Sequence, residues 1–517
     1  MSLSKRLLVV AVIAALISGI LYVGRVNNRL EEENKENAYY QTQTLYFWYS
    51  DECYTDFLTN AAVEFHAENP GTRVIPVLVS SSEYLQAIND ASVSGENFPD
   101  LYILSNDSLE KAYLAGLACK VKDESGVINE LNYPKAAVDA VTYNKNHIAY
   151  PLSFETTALM YNKTYLQDWV DRINSGEETA KGEGVSLEEM DLSEEDAQNL
   201  ESGENTSTEE EVSTEPLTLD SVIPSSFDDL YSFSDKYETK EKVKTLVKWD
   251  VSDVMYNYLF IGAYMQVGGD TGDDTSAIDI FNDKTLECMQ AYKSLNEIFS
   301  FDSDLDYATT LNDFLEGDSL FTIVTTDAIA TSRNLNSEKT AKLKELNETY
   351  ETEQEKASKE ADAAGKEEAD QARLEAIQKE IDAIDIYEYG FARVPYVKES
   401  LKSRALSVTD TIVINGYSTD KTDADRFATF LSKKCSSSIY QRTGRLAASY
   451  DAGYEEGSPE RLFQEEYNDS IPLSKLVEAS NLWVQLEIAL KDIWTGSDPA
   501  ECLQKLTNQI KSQLVTE

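Results

Sequence analysis

Residues 148–163 have the sequence IAYPLSFETTALMYNK, and the arrangement of the whole chain follows from this stretch. Its apolar runs at 148–150 and 158–161 are rich in residues that favour strands, and they predict two short strands. Between them, Pro151 has no N–H to donate, so it belongs at a strand start or an edge. Glu155 needs solvent or a partner, because an unpaired buried charge is costly. Either Glu155 faces solvent on an edge strand, or the chain crosses here between two lobes and Glu155 points into their cleft.

The composition is that of a large acidic protein. A chain of 517 residues is long enough for more than one domain and a substantial core, and its hydrophobic content of 42% is typical of globular proteins. The 93 acidic and 45 basic residues give a net charge of −48. This excess argues against binding to nucleic acids or to anionic lipid surfaces, because both require a basic face.

Residues of the types that bind metals or act as nucleophiles are scattered along the sequence. The five cysteines are Cys53, Cys119, Cys288, Cys435 and Cys502, and no two of them form a C-x-x-C pair. Their odd number argues against a disulfide framework, although a single disulfide bridge is still compatible with the sequence. The two histidines are isolated from each other. The acidic run at 302–306 lacks the Gly and Glu that a calcium loop requires at positions 307 and 313. We therefore expect no metal site and no cofactor.

The N-terminal region has the pattern of a membrane anchor. Two basic residues precede an apolar run, so the sequence predicts a cytoplasmic tip at 1–6, a transmembrane signal anchor at 7–24 and a polar tether at 25–43. A cleaved secretory signal has a similar beginning, but no Ala-x-Ala-like site follows this run. We expect a single-pass protein of the cell membrane with the bulk of the chain outside the cell.

The next part of the chain alternates between strand and helix patterns. Strands are predicted at 44–49, 72–79 and 98–105, with helices at 56–69 and 82–93, an order typical of an α/β layer. Ligands of open α/β sheets bind beyond the carboxyl ends of the strands. Residues 48–51 and 105–107 are therefore expected at one rim of a binding cleft.

Later stretches of the chain contain residues that mark where helices begin and end. Ser226 and Asp229 predict a capping box at the start of a helix within 224–237. The apolar positions in 249–267, followed by two glycines, predict one long helix. Residues 306–328 predict a helix, a glycine turn and a strand at 319–324.

Two segments have the composition of insertions. Residues 171–216 are strongly acidic and rich in Ser, Thr and Gly, which is typical of disorder. In 333–386, a 3-4-3 spacing of Leu and Ile predicts an antiparallel helical hairpin. Each segment is either a docking or regulatory element or a plain solvent-exposed addition.

Several stretches resemble, in the same order, the extracellular solute-binding proteins of ABC importers, family 1, which are of the maltose-binding type. They are IAYPLSFETTALMYNK (148–163), FPDLYILS (98–105), PSSFDDLYSFSDKY (224–237), DYATTLNDFLEGDSLFTIVTTDA (306–328) and RTGRLAAS (442–449). The resemblance implies an α/β, two-lobed periplasmic-binding-protein-like fold of type II with discontinuous lobes. It divides the chain into lobe 1 at 44–153 and 392–445, lobe 2 at 154–391, and C-terminal helices at 446–517 that lie mainly on lobe 2.

The resemblance also implies a ligand site in the cleft. A sugar needs hydroxyl partners and apolar surfaces for the C–H side of its ring. The expected ligand-binding residues are Trp48, Ser50, Asp51, Asn106, Glu155, Trp249, Asp327 and Trp483. Asp327 departs from the pattern, because some sugar-binding relatives have a stacking aromatic there, and several acids would equally hold a cationic ligand. Core packing is the alternative role for Trp249.

The resulting hypothesis is capture of a small solute, a sugar or oligosaccharide, by hinge closure, followed by delivery to an ABC permease. The alternative is a membrane-anchored ligand-binding sensor or scaffold that does not supply a transporter. Asp51 and Glu155 are conceivable as the paired carboxylates of a glycosidase. However, the sequence has no nucleophile elbow, phosphate loop or metal motif, so we expect no enzymatic activity.

Overall fold

A computed structural model describes residues 42–80, 82–95, 97–176, 216–237, 242–299, 302–360 and 367–514. The predicted cytoplasmic tip and anchor, most of the tether and most of the acidic insertion lie outside these ranges. No helix in the ranges combines the length and the apolar character needed to cross a bilayer.

The described chain is a mixed α/β structure. Its strands are β1 (Gln43–Tyr49), β2 (Thr72–Leu78), β3 (Leu101–Ser105), β4 (Thr142–Tyr143), β5 (Asn146–His147), β6 (Tyr150–Asn162), β7 (Thr245–Val247), β8 (Gln266–Val267), β9 (Ile278–Asp279), β10 (Ser319–Thr325), β11 (Tyr389–Ala392), β12 (Leu406–Ile414), β13 (Leu446–Ala447) and β14 (Ile471–Pro472). Its helices are α1 (Thr55–Glu68), α2 (Tyr84–Ser94), α3 (Leu109–Leu114), α4 (Lys135–Val141), α5 (Lys163–Ser175), α6 (Leu219–Val222), α7 (Phe227–Lys236), α8 (Val254–Asn257), α9 (Asp283–Phe299), α10 (Tyr307–Leu315), α11 (Asp327–Glu360), α12 (Glu367–Asp382), α13 (Lys421–Thr429), α14 (Ser436–Thr443), α15 (Pro459–Asp469), α16 (Leu482–Trp494) and α17 (Pro499–Leu514).

The main sheet has the strand order β2-β1-β3-β12-β6-β10-β7. Strand β1 is parallel to β2 and β3, whereas β12 is antiparallel to β3 and β6. On the other side of β6, β10 is antiparallel to β6 and parallel to β7. Non-consecutive strands therefore lie side by side in the middle of the sheet, where the chain passes repeatedly between its two halves.

Strand β6 is one continuous strand of 13 residues, so the prediction of two short strands in this stretch was wrong. Pro151 does not interrupt it, because the pairing with β12 shifts register between Asp410 and Thr411, and Thr411 is the residue opposite Pro151. A bulge leaves a ladder position without its usual hydrogen bond, which a proline tolerates.

The two ends of β6 belong to two different hydrophobic cores. Tyr150 and Leu152 pack in a core with β1, β3, α1 and α13, which we call lobe 1. Leu159 and Tyr161 pack in a second core with α7, α9, α16 and α17, which we call lobe 2. A third cluster lies beneath the middle of the strand, where Phe154 stacks face to face on Tyr467 of α15 at 4.1 Å. Strand β6 is therefore a crossing segment between lobes.

Two local predictions are confirmed, one by side-chain contacts and one by the order of the elements. Helix α7 begins after Ser226, whose side chain accepts the N–H of Asp229, while Asp229 accepts the N–H of Ser226. This reciprocal pair satisfies two N–H groups that a helix start leaves free. Helix α10 and strand β10 also follow each other as predicted, with Gly317 at a φ of 89° between them.

The long helix predicted for 249–267 is absent; short helical turns and strand β8 occupy this range. The amide of Asn257 donates to the carbonyl oxygens of Asp250 and Asp253, which folds the segment back on itself. A Cβ built at Gly262 would clash with the Arg404 carbonyl oxygen, so another part of lobe 2 closely approaches the backbone there. Tertiary contacts override the helical periodicity in this range.

The predicted helical hairpin is present as α11 and α12, which pack against each other. Arg373 lies 3.9 Å from Glu353 across the pair, as an antiparallel arrangement requires. Helix α11 begins at Asp327, at the end of a buried strand, so it joins the hairpin directly to lobe 2. The acidic insertion starts later than predicted, because residues 171–175 still belong to α5. All five cysteines are free.

Candidate functional site

The lobe 1 side of the site is built on an ion pair. Asp51 follows β1 and caps a short helical turn by accepting the N–H of Cys53 at 3.0 Å. Its other carboxylate oxygen lies 2.6 Å from Nη2 of Arg445. Gly444, at a φ of 74°, ends α14 and turns the chain so that Arg445 precedes β13, which pairs with β6. The ion pair therefore holds residues 444–447, which we call the third crossing after β6 and β12, next to the end of β1.

A second carboxylate of lobe 1 lies behind this pair. Asp410, in the middle of β12, accepts a hydrogen bond of 2.6 Å from the hydroxyl of Tyr54 and one of 3.3 Å from Ser153. Tyr54 is fully buried, and both burial and the nearby Asp410 raise its pKa far above the usual range. It remains a neutral hydrogen-bond donor that fixes the carboxylate.

Glu155 occupies the centre of the site, on the part of β6 that leads from one lobe to the other. Burial raises its pKa, and the carboxylates of Asp327 and Asp410 raise it further. Arg445 and a hydrogen bond with Thr325 act in the opposite direction without cancelling the rise. Glu155 therefore interacts electrostatically with charged groups from both lobes.

The lobe 2 side is formed where β10 ends and α11 begins. Asp327 is exposed and accepts hydrogen bonds from the hydroxyls of Thr325, at 2.6 Å, and Tyr307, at 2.7 Å. The ring of Tyr307 stacks on that of Tyr256, with centroids 4.7 Å apart and an interplanar angle of 18°. Burial keeps the pKa of both tyrosines far above the usual range, so they remain neutral.

Charges on the lobe 1 side are fixed at neutral pH. Burial alone would lower the pKa of Arg445, but its neighbours Tyr54, Asp410 and Asp51 hold the pKa above its usual range. Burial alone would raise the pKa of Asp51, but the Cys53 N–H and Arg445 outweigh it and hold the pKa below the usual range. Both groups stay ionised. The side chains of Arg445 and Asp51 are 36% and 41% exposed, respectively, so both remain accessible to a ligand.

The residues predicted for the site fall into two groups. Asp51, Glu155 and Asp327 come together in one cluster, linked through Arg445 and Thr325. Ser50 is exposed next to Asp51, and Trp48 is half-buried on β1. Trp48 lies on the strand that leads to the cluster, and Ser50 lies just after its end.

The remaining predicted residues are engaged elsewhere. Asn106 is fully buried, and its side chain accepts the Thr409 N–H and donates to the Leu473 carbonyl oxygen. Trp249 is also fully buried in lobe 2, where its indole N–H donates to Asn257 at 2.9 Å. Trp483 is half-buried and meets Tyr258 edge to face at 5.9 Å. In this structure Asn106 and Trp249 have packing roles and offer no surface to a ligand.

Several functional candidates were not predicted from the sequence, namely Tyr54, Tyr256, Tyr307, Asp410 and Arg445. Two of them had a signal: Arg445 lies in RTGRLAAS, one of the stretches that resemble the family, and Asp410 is an acid inside an apolar strand. Tyr256 and Tyr307 had none, because their proximity depends on how α8 and α10 pack.

The cluster presents hydrogen-bonding groups of both kinds, with carboxylates as acceptors and a guanidinium and hydroxyls as donors. Among the described residues, no group of three or more His, Cys, Asp or Glu side chains is arranged to hold a metal ion. A cavity of about 760 Å³ lies apart from the cluster, lined among others by Arg393, Arg404 and Glu466. Since Glu466 is on α15, which packs against Phe154, this cavity lies on the other face of β6 from Glu155.

Solved structures with the same architecture include sugar-binding proteins. A cyclo/maltodextrin-binding protein in complex with maltotetraose is 16% identical, with a TM-score of 0.63 over 92% of this chain and 98% of its own. An extracellular solute-binding protein from Staphylococcus aureus in complex with maltose is 15% identical, with a TM-score of 0.63 over 92% and 99%. The maltose-binding periplasmic protein of Listeria monocytogenes, also with maltose, is 16% identical, with a TM-score of 0.57 over 92% and 98%. At these identities the likeness establishes the shared two-lobed fold.

No match was found among curated proteins. The model of the bacterial extracellular solute-binding protein family matches residues 60–448, well over half of the chain. This match confirms the resemblance inferred from the ordered sequence stretches. The chain belongs to the family of bacterial extracellular solute-binding proteins.

Proposed function

We propose that this protein captures a carbohydrate between its two lobes and delivers it to the permease subunits of an ABC importer. The family supports solute binding outside the cell, and the three similar structures were solved with maltose or maltotetraose or are named for binding them. The proposal assigns the protein a binding role without a catalytic step.

The observation that carries the proposal is the convergence of polar groups from both lobes on one crossing strand. Asp51 and Arg445 come from lobe 1, Asp327 from lobe 2, and Glu155 from the strand between them. Sugar hydroxyls require such a mixture of acceptors and donors. The stacked Tyr256–Tyr307 pair supplies an aromatic surface at the lobe 2 edge.

The mechanism follows from this arrangement. Strands β6 and β12 and residues 444–447 connect the lobes, so bending of these segments changes the distance between Asp51 and Asp327. A ligand that contacts both lobes stabilises the closed form by its greater affinity for that form. A permease that binds the closed form better than the open form would then select the protein that carries a ligand.

The experiment that tests the proposal is thermal unfolding of the full chain with maltose, maltotetraose, other oligosaccharides and monosaccharides. A ligand at about 100 times its Kd adds roughly 2.7 kcal/mol to the free energy of unfolding, which raises the melting temperature measurably. Stabilisation by a carbohydrate supports the proposal, and no stabilisation by any of them contradicts it. Co-purification with ABC permease subunits tests delivery; sugar binding without a permease partner would favour a sensor.

A further inference from the structure

The charges of the cluster do not balance. In the described part of the chain, the cluster contains four carboxylates, those of Asp51, Glu155, Asp327 and Asp410, and one guanidinium, that of Arg445. An uncharged ligand would leave this imbalance in place. The distribution of the excess charge shows where a ligand's own charge would be compensated.

The lobe 1 carboxylates have strong partners of their own. Asp51 is ion-paired with Arg445 at 2.6 Å, and Asp410 accepts two hydrogen bonds, from Tyr54 and Ser153. The excess negative charge therefore lies toward lobe 2. There, Asp327 accepts hydrogen bonds from the neutral hydroxyls of Thr325 and Tyr307. Glu155 lies near the charge of Arg445, which is already paired with Asp51.

Lobe closure would raise the free energy of this excess negative charge. Asp327 is exposed in this structure, and a ligand held between the lobes would remove water from it and from Glu155 together. Taking two neighbouring carboxylates out of water costs several kcal/mol per ion unless a positive charge compensates them. Since the carboxylate of Asp327 already raises the pKa of Glu155, closure on a purely neutral ligand would favour a proton on Glu155.

A second feature of the site also indicates an absent binding partner. Thr157 is fully buried on the same face of β6 as Glu155 and opposite Thr325 in the sheet register, and its hydroxyl has no hydrogen-bond partner. The Nε of Arg445 is likewise buried without a partner. Buried polar atoms are normally hydrogen-bonded, so unsatisfied ones beside the cluster indicate a site that a ligand completes.

We infer that the solute carries a protonated amine, which lies between Glu155 and Asp327, and that it is therefore an amino sugar with a free amine. This inference rests on the proposed function, since it specifies the carbohydrate that the cleft takes. The ammonium would donate to both carboxylates, while the Tyr256–Tyr307 pair offers an aromatic surface to the charged end of the ring. The sugar hydroxyls would bind the Asp51–Arg445 side.

The pH dependence of affinity follows in sign. The charged groups that act on Glu155 are Arg445 from the third crossing, Asp410 from β12 and Asp327 from the start of α11, with Thr325 and Tyr256 as neutral neighbours. An ammonium favours ionised Glu155, so affinity rises with pH through the raised pKa of this group. A neutral sugar favours protonated Glu155, so its affinity falls over the same range.

The test uses isothermal titration of the full chain with three sugars that differ at one position: glucosamine, N-acetylglucosamine and glucose, together with their β-1,4-linked dimers. Between about pH 4.5 and 7 a sugar amine stays largely protonated, if its pKa is close to that of an α-amino group. We expect the free amine to bind about tenfold or more tightly than either neutral form, with affinity rising with pH.

Charge-neutral variants locate the amine. Asp327→Asn and Glu155→Gln keep the side-chain shape, and we expect each to reduce the preference for the amine over the N-acetyl form about tenfold. Glu388→Gln is the matched control, because Glu388 is 75% exposed and pairs with Lys163 away from the cleft. Thermal unfolding of each variant without ligand establishes that it is folded.

The outcomes separate the inference from the proposed function. Equal or tighter binding of the neutral sugars, or affinity that falls with pH, would overturn the amine inference and leave carbohydrate capture intact. Binding of spermidine with no affinity for any sugar would overturn carbohydrate capture and, with it, the amino-sugar assignment. Failure of all these probes would contradict both.

Discussion

Nη2 of Arg445 lies 2.6 Å from Oδ2 of Asp51, although 394 positions separate the two residues in the sequence. Asp51 follows the first strand of lobe 1, and Arg445 begins the third crossing between the lobes. Arg445 also supplies the positive charge next to Glu155. A single guanidinium thus connects the placement of a crossing segment with the charge state of the candidate site.

A double-mutant cycle of Arg445→Gln and Asp51→Asn measures this connection. Because both side chains are partly exposed, we expect a coupling energy of no more than about 1 kcal/mol in urea unfolding. Arg445→Gln should also raise the pKa of Glu155 further, since Arg445 lowers it. Additive effects on stability together with an unchanged Glu155 titration, followed by NMR, would show that the pair does not act as described.

The contact beneath the crossing strand is a stability determinant. Phe154 is 3% exposed and stacks on Tyr467 with an interplanar angle of 2°. Replacing a buried phenylalanine by alanine costs about 3–5 kcal/mol, so Phe154→Ala should lower the free energy of unfolding by that amount. Denaturant unfolding measures it, with Phe154→Leu as the milder comparison. A loss below about 1 kcal/mol would mean that this face of β6 is not packed as observed.

Glu466 gives the protein a pH-dependent stability. Burial raises its pKa to about 7, although Arg393 opposes the shift. The folded state therefore holds a proton that the unfolded chain releases near its ordinary pKa of about 4.3. Stability from this group is complete at low pH and is lost as the pH rises toward 7, by up to about 3 kcal/mol.

Glu466→Gln checks this pH effect. The variant removes the titrating group but keeps its shape, so the stability curve between about pH 4.5 and 7 should flatten relative to the native chain. Glu465→Gln, on the same helix and near the same arginine, is the control. Identical curves for the native chain and Glu466→Gln would contradict the assignment.

The capping box of α7 is open to a direct test. The Ser226 hydroxyl accepts the N–H of Asp229, and the Asp229 carboxylate accepts the N–H of Ser226, each at 3.0 Å. Losing such a cap costs about 1 kcal/mol, so Ser226→Ala should destabilise lobe 2 by that amount in thermal unfolding. Ser226→Asp should recover most of the loss, because aspartate also caps helices. A Ser226→Ala variant as stable as the native chain would mean that this cap is unimportant.

The sequence predicted those parts of the fold that depend on neighbouring residues. The strands beginning near 44, 72 and 98 were recognisable from local composition and turn signals, and Ser226 and Asp229 formed the expected cap. The absent helix at 249–267 depended instead on Asn257 and on the approach of a distant backbone to Gly262. Local periodicity contains no information about such contacts.

The sequence likewise predicted only part of the candidate site. Asp51 and Asp327 follow predicted strands, and Glu155 is an acid within an apolar stretch, so all three were candidates from the sequence. Whether Trp249 faced the cleft or the core depended on packing, and the core role is the one observed. Arg445 reaches Asp51 only because the chain crosses between the lobes repeatedly, which no single stretch of sequence reveals.

Isothermal titration of the native chain, Glu155→Ala and Glu388→Ala with the carbohydrate that stabilises the protein best is the most direct test of the proposed site. If the sugar is held between the lobes at Glu155, affinity should fall about tenfold or more in Glu155→Ala, which removes the hydrogen-bonding group, and stay unchanged in Glu388→Ala. Equal affinity of Glu155→Ala and the native chain would contradict the placement of the ligand at the crossing strand.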